Sequence, residues 1–292
     1  MSASDVCSSD PREPAAAPSG SSRLARLASA PAKLWVGLGL FGFWIFIAIF
    51  GTWLAPHGMG DMVSSQVFAG PSEALWLGSD HLGRDVLSRM LIATRYTVAM
   101  ALAAAVLSSA IGAAFGLIAA LVPRLVDTGI SQIMDALISI PSKMMALLIV
   151  AVFGSSIPLL IVAAVATYAP GAYRIARSLA MNQAAMEYVA IARCRGEGRL
   201  HIAIVELLPN IFGPVLTDMG MRFVFIVLLL SAMSFLGLGI QPPMADLGSM
   251  VRENISGLNQ GALAVIAPAI GIGTLTVGAN LLIDAISSRR DG

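Results

Sequence analysis

The sequence carries little charge for its length. Charged residues make up 12% of the 292 residues, while apolar residues make up 57% and mean hydropathy is +0.81. A soluble domain carries roughly 25% charged residues, so this scarcity argues against one and indicates an integral membrane protein. The net charge of +1 gives no sign of a nucleic-acid partner, because such a partner calls for a basic surface.

Lysine, cysteine and histidine are too few for a catalytic or metal site. The only lysines, Lys33 and Lys143, lack the Gly-Lys-Ser/Thr context of a phosphate-binding loop. The two cysteines have neither zinc-site nor disulfide spacing. The three histidines fall in connecting segments, without the i, i+4 pair of a helical zinc site. We therefore expect no enzyme active site, and no ATP, Mg²⁺ or other metal bound by this chain.

Long apolar runs are what the sequence has in abundance. Residues 1–33 are predicted to form a disordered basic tail, and residues 34–292 an all-α, polytopic membrane bundle. Helices of about 20 residues cross a hydrocarbon layer of about 30 Å. Six spans are predicted on that basis: 35–54, 97–122, 130–153, 157–173, 211–236 and 262–286.

The basic residues predict the orientation of these spans. With the N-terminus inside, twelve of the eighteen Lys and Arg residues fall in inner segments and four in outer ones. Because basic residues favour the cytoplasmic side, both termini are expected in the cytosol. Residues 186–210, "MEYVAIARCRGEGRLHIAIVELLPN", are then also cytosolic; we call them the charged segment.

The spans contain charged residues, each of which is costly in a membrane. Asp218 and Arg222 have i, i+4 spacing and can pair on one helix face. Asp135 and Lys143 lie about 80° apart around a single helix. They either face a polar cavity on a translocation path or lie near opposite membrane surfaces, and the sequence leaves both alternatives open.

Glycine and proline predict close packing and bending. Gly112 and Gly116 form a Gly-x-x-x-Gly pair that allows two helices to approach closely. Pro141 should bend the third span, because proline removes a backbone hydrogen bond. Three glycines of the last span are expected to pack closely as well: Gly271, Gly273 and Gly278.

The charged segment predicts two short helices. Residues 187–195 are good helix formers, with Glu187 at the start and arginines at the end, which suits the helix dipole. The run 196–198, Gly-Glu-Gly, breaks this helix, a second helix covers 199–208, and Pro209 ends it. The pair either lies on the lipid surface or docks into a groove of a cytosolic partner.

Three motifs, in this order, resemble those of a known family, the inner-membrane permease subunits of binding-protein-dependent ABC importers of the dipeptide, oligopeptide and nickel group. They are "LGSDHLGRDVLSR" (77–89), "EYVAIARCRG" with "LLPN" in the charged segment, and "SFLGLGIQPP" with "LGSM" (234–250). The resemblance covers residues 35–286. It implies a type I importer permease of a bacterial inner membrane that works by alternating access.

The resemblance also implies partners and site residues. The partners would be a second permease subunit, ATP-binding subunits that hold ATP and Mg²⁺, an extracytoplasmic binding protein that docks on outer loops 56–96 and 237–261, and membrane lipid. The charged segment matches the family's EAA loop, which docks on the ATPase, although Arg195 stands where the family usually has an apolar residue. The matching positions are Glu187, Ala192, Arg193, Gly196, Leu208, Pro209 and Asn210.

The predicted function is therefore the permease subunit of an ATP-driven importer of peptides or related small solutes. One alternative is an ion-coupled carrier in which Asp135 or Asp284 takes a proton, although such carriers usually show two related halves, and we find no such repeat here. A second alternative is a non-transporting scaffold, in which Gly196 would be replaceable without loss of uptake.

Overall fold

The computed structural model describes residues 20–288, with side chains described for 33–287. Residues 1–19, most of the predicted disordered tail, lie outside the described residues. From Gly20 onward the backbone is helical, so the prediction of a disordered tail up to residue 33 differs from the structure there. Within the described residues there is no β-strand, only two isolated bridges in the loop before the second helix.

The helices follow one another in the order that the apolar runs predict. The α-helices are α1 (Gly20–Leu54), α2 (Val86–Leu121), α3 (Arg124–Ser139), α4 (Ser142–Phe153), α5 (Ile157–Ala184), α6 (Glu187–Cys194), α7 (Arg199–His201), α8 (Leu208–Phe235), α9 (Leu247–Glu253) and α10 (Leu263–Ser288). A π-helical segment (Ile202–Leu207) joins α7 to α8, and a 3-10 helix (Ile255–Gln260) follows α9.

Five described helical stretches are long and apolar enough to cross a membrane, and the pair α3–α4 makes a sixth span if it is counted as one. Helix α2 begins at Val86, earlier than the predicted start of its span at 97. The side chain of Asp85 caps it by accepting hydrogen bonds from the backbone N–H groups of Leu87 and Ser88. With this cap, the first turns of α2 lie before the apolar run in the sequence.

The third span is bent far more sharply than a proline kink. Helices α3 and α4 meet at 86°, with Pro141 immediately before α4. Alone, the 12 residues of α4 reach only about 18 Å, less than one hydrocarbon thickness. The predicted bend is confirmed. The prediction that Asp135 and Lys143 share one helix is wrong, because they lie on opposite sides of the break.

The core of the bundle lies between α1, α2, α4, α5, α8 and α10. Small residues of α2 and α5 form its tightest part: Ala101, Ala104, Ala105, Ala163 and Ala164. A Cβ added at Gly112 would lie 2.4 Å from Cβ of Ala172, and one at Gly116 would lie 2.7 Å from the backbone nitrogen of Arg177. The predicted close approach at these glycines is confirmed, and α5 is the helix they approach.

The glycines of α10 behave differently from one another. A Cβ at Gly278 would lie 2.9 Å from Cβ of Leu40, and one at Gly271 would lie 3.0 Å from the Trp44 ring. Both therefore let α10 pack closely on α1. Around Gly273 no heavy atom lies within 4 Å of an added Cβ, so the expectation of close packing is wrong at this position.

Candidate functional site

The charged segment begins with a short helix that ends in a Schellman motif. Helix α6 covers Glu187–Cys194, as predicted to within one residue. The backbone N–H of Glu197 donates to the carbonyl of Ala192 and that of Gly196 to the carbonyl of Arg193. Gly196 has φ +81°, a conformation that glycine adopts at little cost. Glycine is therefore needed at position 196 for its backbone conformation and not for close packing, since an added Cβ would have no neighbour within 4 Å.

A small apolar cluster fixes the charged segment to the bundle. Val189 and Ala192 of α6 are fully buried and pack with Ile202 and Leu207 of the π-helical segment. The ends of α2 and α5 and the start of α8 complete this cluster. Ala192, predicted as a coupling residue, thus faces inward and anchors α6. We expect a displacement of α6 to be transmitted to the ends of these three long helices, because packed interiors have low compressibility.

The opposite side of the charged segment is exposed and mixed in character. Ile191 is 58% exposed and Leu200 is 74% exposed, while Glu187 and Arg193 are also at the surface. Leu208 is half-buried against the anchoring cluster. The predicted site residues are therefore brought together in one segment, but they divide between an anchored inner face and a free outer face.

Arg195 forms ion pairs across the break between the two helices. Its guanidinium lies 2.7 Å from a carboxylate oxygen of Glu197 and 3.7 Å from one of Glu206. The second carboxylate oxygen of Glu197 lies 3.5 Å from Nε2 of His201. The arginine that departs from the family pattern therefore pairs within the segment, connecting the end of α6 to the π-helical segment.

The predicted end of the second helix at Pro209 is wrong. Helical structure runs without a break from Arg199 to Phe235, and Pro209 lies in the first turn of α8. Its missing N–H falls at the point where the π-helical segment gives way to the α-helix. Pro209 removes one backbone hydrogen bond there but does not end the helix. The charged segment thus continues directly into a membrane-spanning helix.

The four charged residues considered above for the third and fifth predicted spans lie in three separate places. Asp218 and Arg222 form the predicted pair, with Nε of Arg222 2.6 Å from the carboxylate, and Arg222 also donates to the backbone carbonyl of Tyr168 on α5. Asp135 pairs with Arg174 at 2.7 Å, and both side chains are about 60% exposed. Lys143 is exposed on α4. The structure does not bring Asp135 and Lys143 together.

A buried ring of four charges joins the loop before α2 to α9. Arg84 and Arg89 each contact the same oxygen of Asp80, at 2.7 and 2.6 Å. Both also contact the same oxygen of Glu253, at 3.0 and 2.8 Å. Sequence reasoning placed three of these residues in a family motif without anticipating the ring. The i, i+4 spacing of Asp80 and Arg84 was its only local signal.

A second buried carboxyl caps α9. Asp246 accepts a hydrogen bond from the backbone N–H of Ser249, and the hydroxyl of Ser249 accepts one from the N–H of Asp246, which completes a capping box. Burial raises the pKa of Asp246 above its ordinary value, although hydrogen bonds from Ser249 and Ser234 act in the opposite direction. Oδ2 of Asp246 has no hydrogen-bond partner among the described residues.

Comparison with known proteins gives a consistent set of relatives. The family described as "Binding-protein-dependent transport system inner membrane component" matches residues 112–292. The chain is similar to the glutathione transport system permease protein GsiD of Pectobacterium atrosepticum, with 32% identity over 76% of this chain and 74% of the relative. It is similar to the dipeptide transport system permease protein DppC of Haemophilus influenzae, with 30% identity over 77% and 76%. It is also similar to the nickel transport system permease protein NikC of Escherichia coli, with 27% identity over 76% and 80%.

Proposed function

Since this chain belongs to the family of inner membrane components of binding-protein-dependent transport systems, we propose that it moves peptides or related small solutes, delivered by a binding protein, into the cytosol. It is a multi-pass membrane protein and a permease subunit of an ABC importer, a transport component rather than an enzyme or an ion-coupled carrier. The proposal of peptide as the substrate class rests on the relatives, among which transport of dipeptides and of glutathione recurs.

We propose that both termini and the charged segment lie in the cytosol, where the segment docks on an ATP-binding subunit. The observation that carries this proposal is the exposure of Ile191 and Leu200 on a segment whose other face is firmly anchored. Exposed apolar side chains edged by charges are typical of a protein interface. ATP and Mg²⁺ would be held by that partner, and the anchoring cluster would carry its movement into α2, α5 and α8.

The opposite end of the bundle would receive the binding protein. The loop before α2 and the region of α9, which the ring of four charges joins, lie at the ends of spans opposite to the charged segment. Asp135 and Lys143 keep a proposed place beside the translocation path. The support is that the Asp135–Arg174 pair is largely exposed, and exposed charges are costly in lipid. A second permease subunit would close this path from the other side.

The coupling role can be tested at Glu187 and Gly196. We expect Glu187→Lys and Gly196→Pro to abolish ATP-driven uptake in reconstituted vesicles while membrane insertion is retained. Proline cannot adopt φ +81°, so it should unfold the end of α6. Gly196→Ala should cost about 1–2 kcal/mol locally, because an L residue is strained in the left-handed region.

Gly198 provides a matched control for these variants. Its φ is −70° and its surroundings are equally open, so Gly198→Ala should transport as the wild type does. Normal uptake by both Glu187→Lys and Gly196→Pro would contradict the coupling role. Loss of uptake in Gly198→Ala as well would show that the assay reports general damage to the segment.

A further inference from the structure

We propose that the ATP-binding subunit inserts a carboxylate side chain between Arg193 and Arg199, so that the permease supplies the positive half of a charge contact at the coupling site. This inference rests on the proposed function, because it requires the charged segment to dock on that subunit. It specifies in addition that the partner's group is negatively charged and that this group lies between the two arginines.

The site is a cavity of about 460 Å³ between the end of α2 and the charged segment. Its floor is formed by residues 120–122 and the buried Ile202, and its polar walls by Arg193, Glu197 and Arg199. Both arginines are exposed. A cavity of this size has room for a carboxylate side chain together with several waters.

The charges around the cavity are not balanced within the chain. Glu197, the carboxylate in its wall, is already engaged by Arg195 at 2.7 Å. Arg193 and Arg199 have no ion-pair partner among the described residues. The same is true of Arg95, Arg124 and Arg252, but of these five arginines only Arg193 and Arg199 line this cavity. The other described arginines each have an ion-pair partner: Arg84, Arg89, Arg174, Arg177, Arg195 and Arg222. The cavity therefore presents a net positive charge.

Docking makes this imbalance matter. When a partner covers the exposed Ile191 and Leu200, water is removed from the arginines near them as well. A guanidinium that loses water without gaining a counter-ion opposes association, and interface cores are depleted in unpaired charges. A carboxylate can accept two parallel hydrogen bonds from a guanidinium. An acidic side chain in the partner's cleft is therefore the group that neutralises the positive charge of this cavity.

The test measures association of the separately purified ATP-binding subunits with the full-length chain in nanodiscs of neutral phosphatidylcholine, as a function of NaCl concentration. We expect Arg193→Glu combined with Arg199→Glu to weaken association by about 100-fold at low salt, and to remove the weakening that salt causes in the wild type. Arg193→Lys combined with Arg199→Lys should retain most of the affinity. Arg252→Glu, at an exposed arginine of α9, is the matched control and should bind as the wild type does.

The outcomes separate this inference from the proposed function. No association of the wild type with the ATP-binding subunits would overturn both. Wild-type association with unchanged affinity and salt dependence in the double Glu variant would overturn the carboxylate contact alone. If the double Glu variant associates more weakly than the wild type only in nanodiscs that contain anionic lipid, the arginines bind lipid headgroups. That result would also overturn the carboxylate contact. Restored binding of the double Glu variant by an Asp→Lys or Glu→Lys change in the partner's cleft would establish the contact.

Discussion

Replacing Arg89 by Met should destabilise the bundle, because it removes one charge from the buried ring that joins the loop before α2 to α9. Arg89 is 1% exposed and lies 2.6 Å from Asp80 and 2.8 Å from Glu253. Met fills a similar volume without charge. The variant leaves two carboxylates facing Arg84 alone, and Asp80 is itself fully buried.

The magnitude follows from this geometry. Breaking a buried ion pair by removing one partner costs about 3–5 kcal/mol. Arg84 still reaches both carboxylates, and Nε of Arg89 has no hydrogen-bond partner in the described residues, so we expect about 3 kcal/mol. For a domain of this size, each kcal/mol lowers the melting temperature by about 2–4 °C. The expected decrease is therefore about 6–12 °C.

The assay is thermal unfolding of the purified chain in mild detergent. The matched control is Arg174→Met, which removes an arginine whose pair with Asp135 is largely exposed; exposed pairs contribute about 0–1 kcal/mol. A melting temperature for Arg89→Met within 2 °C of the wild type would refute the buried-ring interpretation, about 2 °C being the shift for 1 kcal/mol. Equal decreases in Arg89→Met and Arg174→Met would refute it too, because burial would then make no difference.

The pH dependence gives an independent check on the same ring. Burial alone would raise the pKa of Asp80, but backbone N–H groups of Arg84 and Leu82 and the charges of both arginines hold it below the ordinary value of 3.8. A lowered pKa contributes stability above the unfolded-state value, and this stability is lost as pH falls through the folded-state value. In Arg89→Met the pKa of Asp80 should rise towards the unfolded-state value, so less stability should be lost on acidification than in the wild type.

Two further predictions concern packing and the cap of α9. Gly112→Ala should lower the melting temperature by several degrees, since its Cβ would overlap Ala172 and overpacking costs about 1–3 kcal/mol. Gly273→Ala, with open space around it, should be neutral or stabilising by up to about 1 kcal/mol; equal behaviour of the two would contradict the close α2–α5 contact. Asp246→Asn should keep the bond from Ser249 and match or exceed wild-type stability near pH 7, whereas Asp246→Ala should lose about 1 kcal/mol. Because the pKa of Asp246 is raised, wild-type stability should decrease as pH rises above 3.8. If melting curves of Asp246→Asn show the same decrease, Asp246 is not its cause.

The long apolar helices were predictable because their signal is local. Each span is a run of apolar residues, and its existence needs no knowledge of the neighbouring helices. The end of α6 was also predictable, because the Gly-Glu-Gly run at 196–198 is a local helix-breaking signal. The Schellman geometry of that end became apparent only in the structure. The close approach at Gly112 and Gly116 was predictable too, although only the structure identifies α5 as the helix that they contact.

The features that the sequence did not predict depend on distant partners or on competition between signals. The ring of four charges needs Glu253, far along the chain from Arg84, and no local pattern indicates that pairing. Pro209 was interpreted as a stop signal, but helical structure continues through it from the π-helical segment into α8. Arg195 was a departure from the family pattern whose two carboxylate partners became apparent only in the structure.

The unbroken helical stretch from Arg199 to Phe235 sets a mechanical limit on the bundle. Its 37 residues span about 55 Å, and near its middle a Cβ at Gly220 would lie 2.8 Å from Ile283 of α10. A rigid rod turning about that contact has arms of roughly 31 and 22 Å. A displacement of 3 Å at the charged segment would then become about 2 Å at the far end. The π-helical segment and Pro214 lie in the longer arm. Any bending there reduces the displacement that reaches the far end. Opening a path wide enough for a solute should therefore combine small rotations of several helices, because this long stretch reduces the motion that it receives.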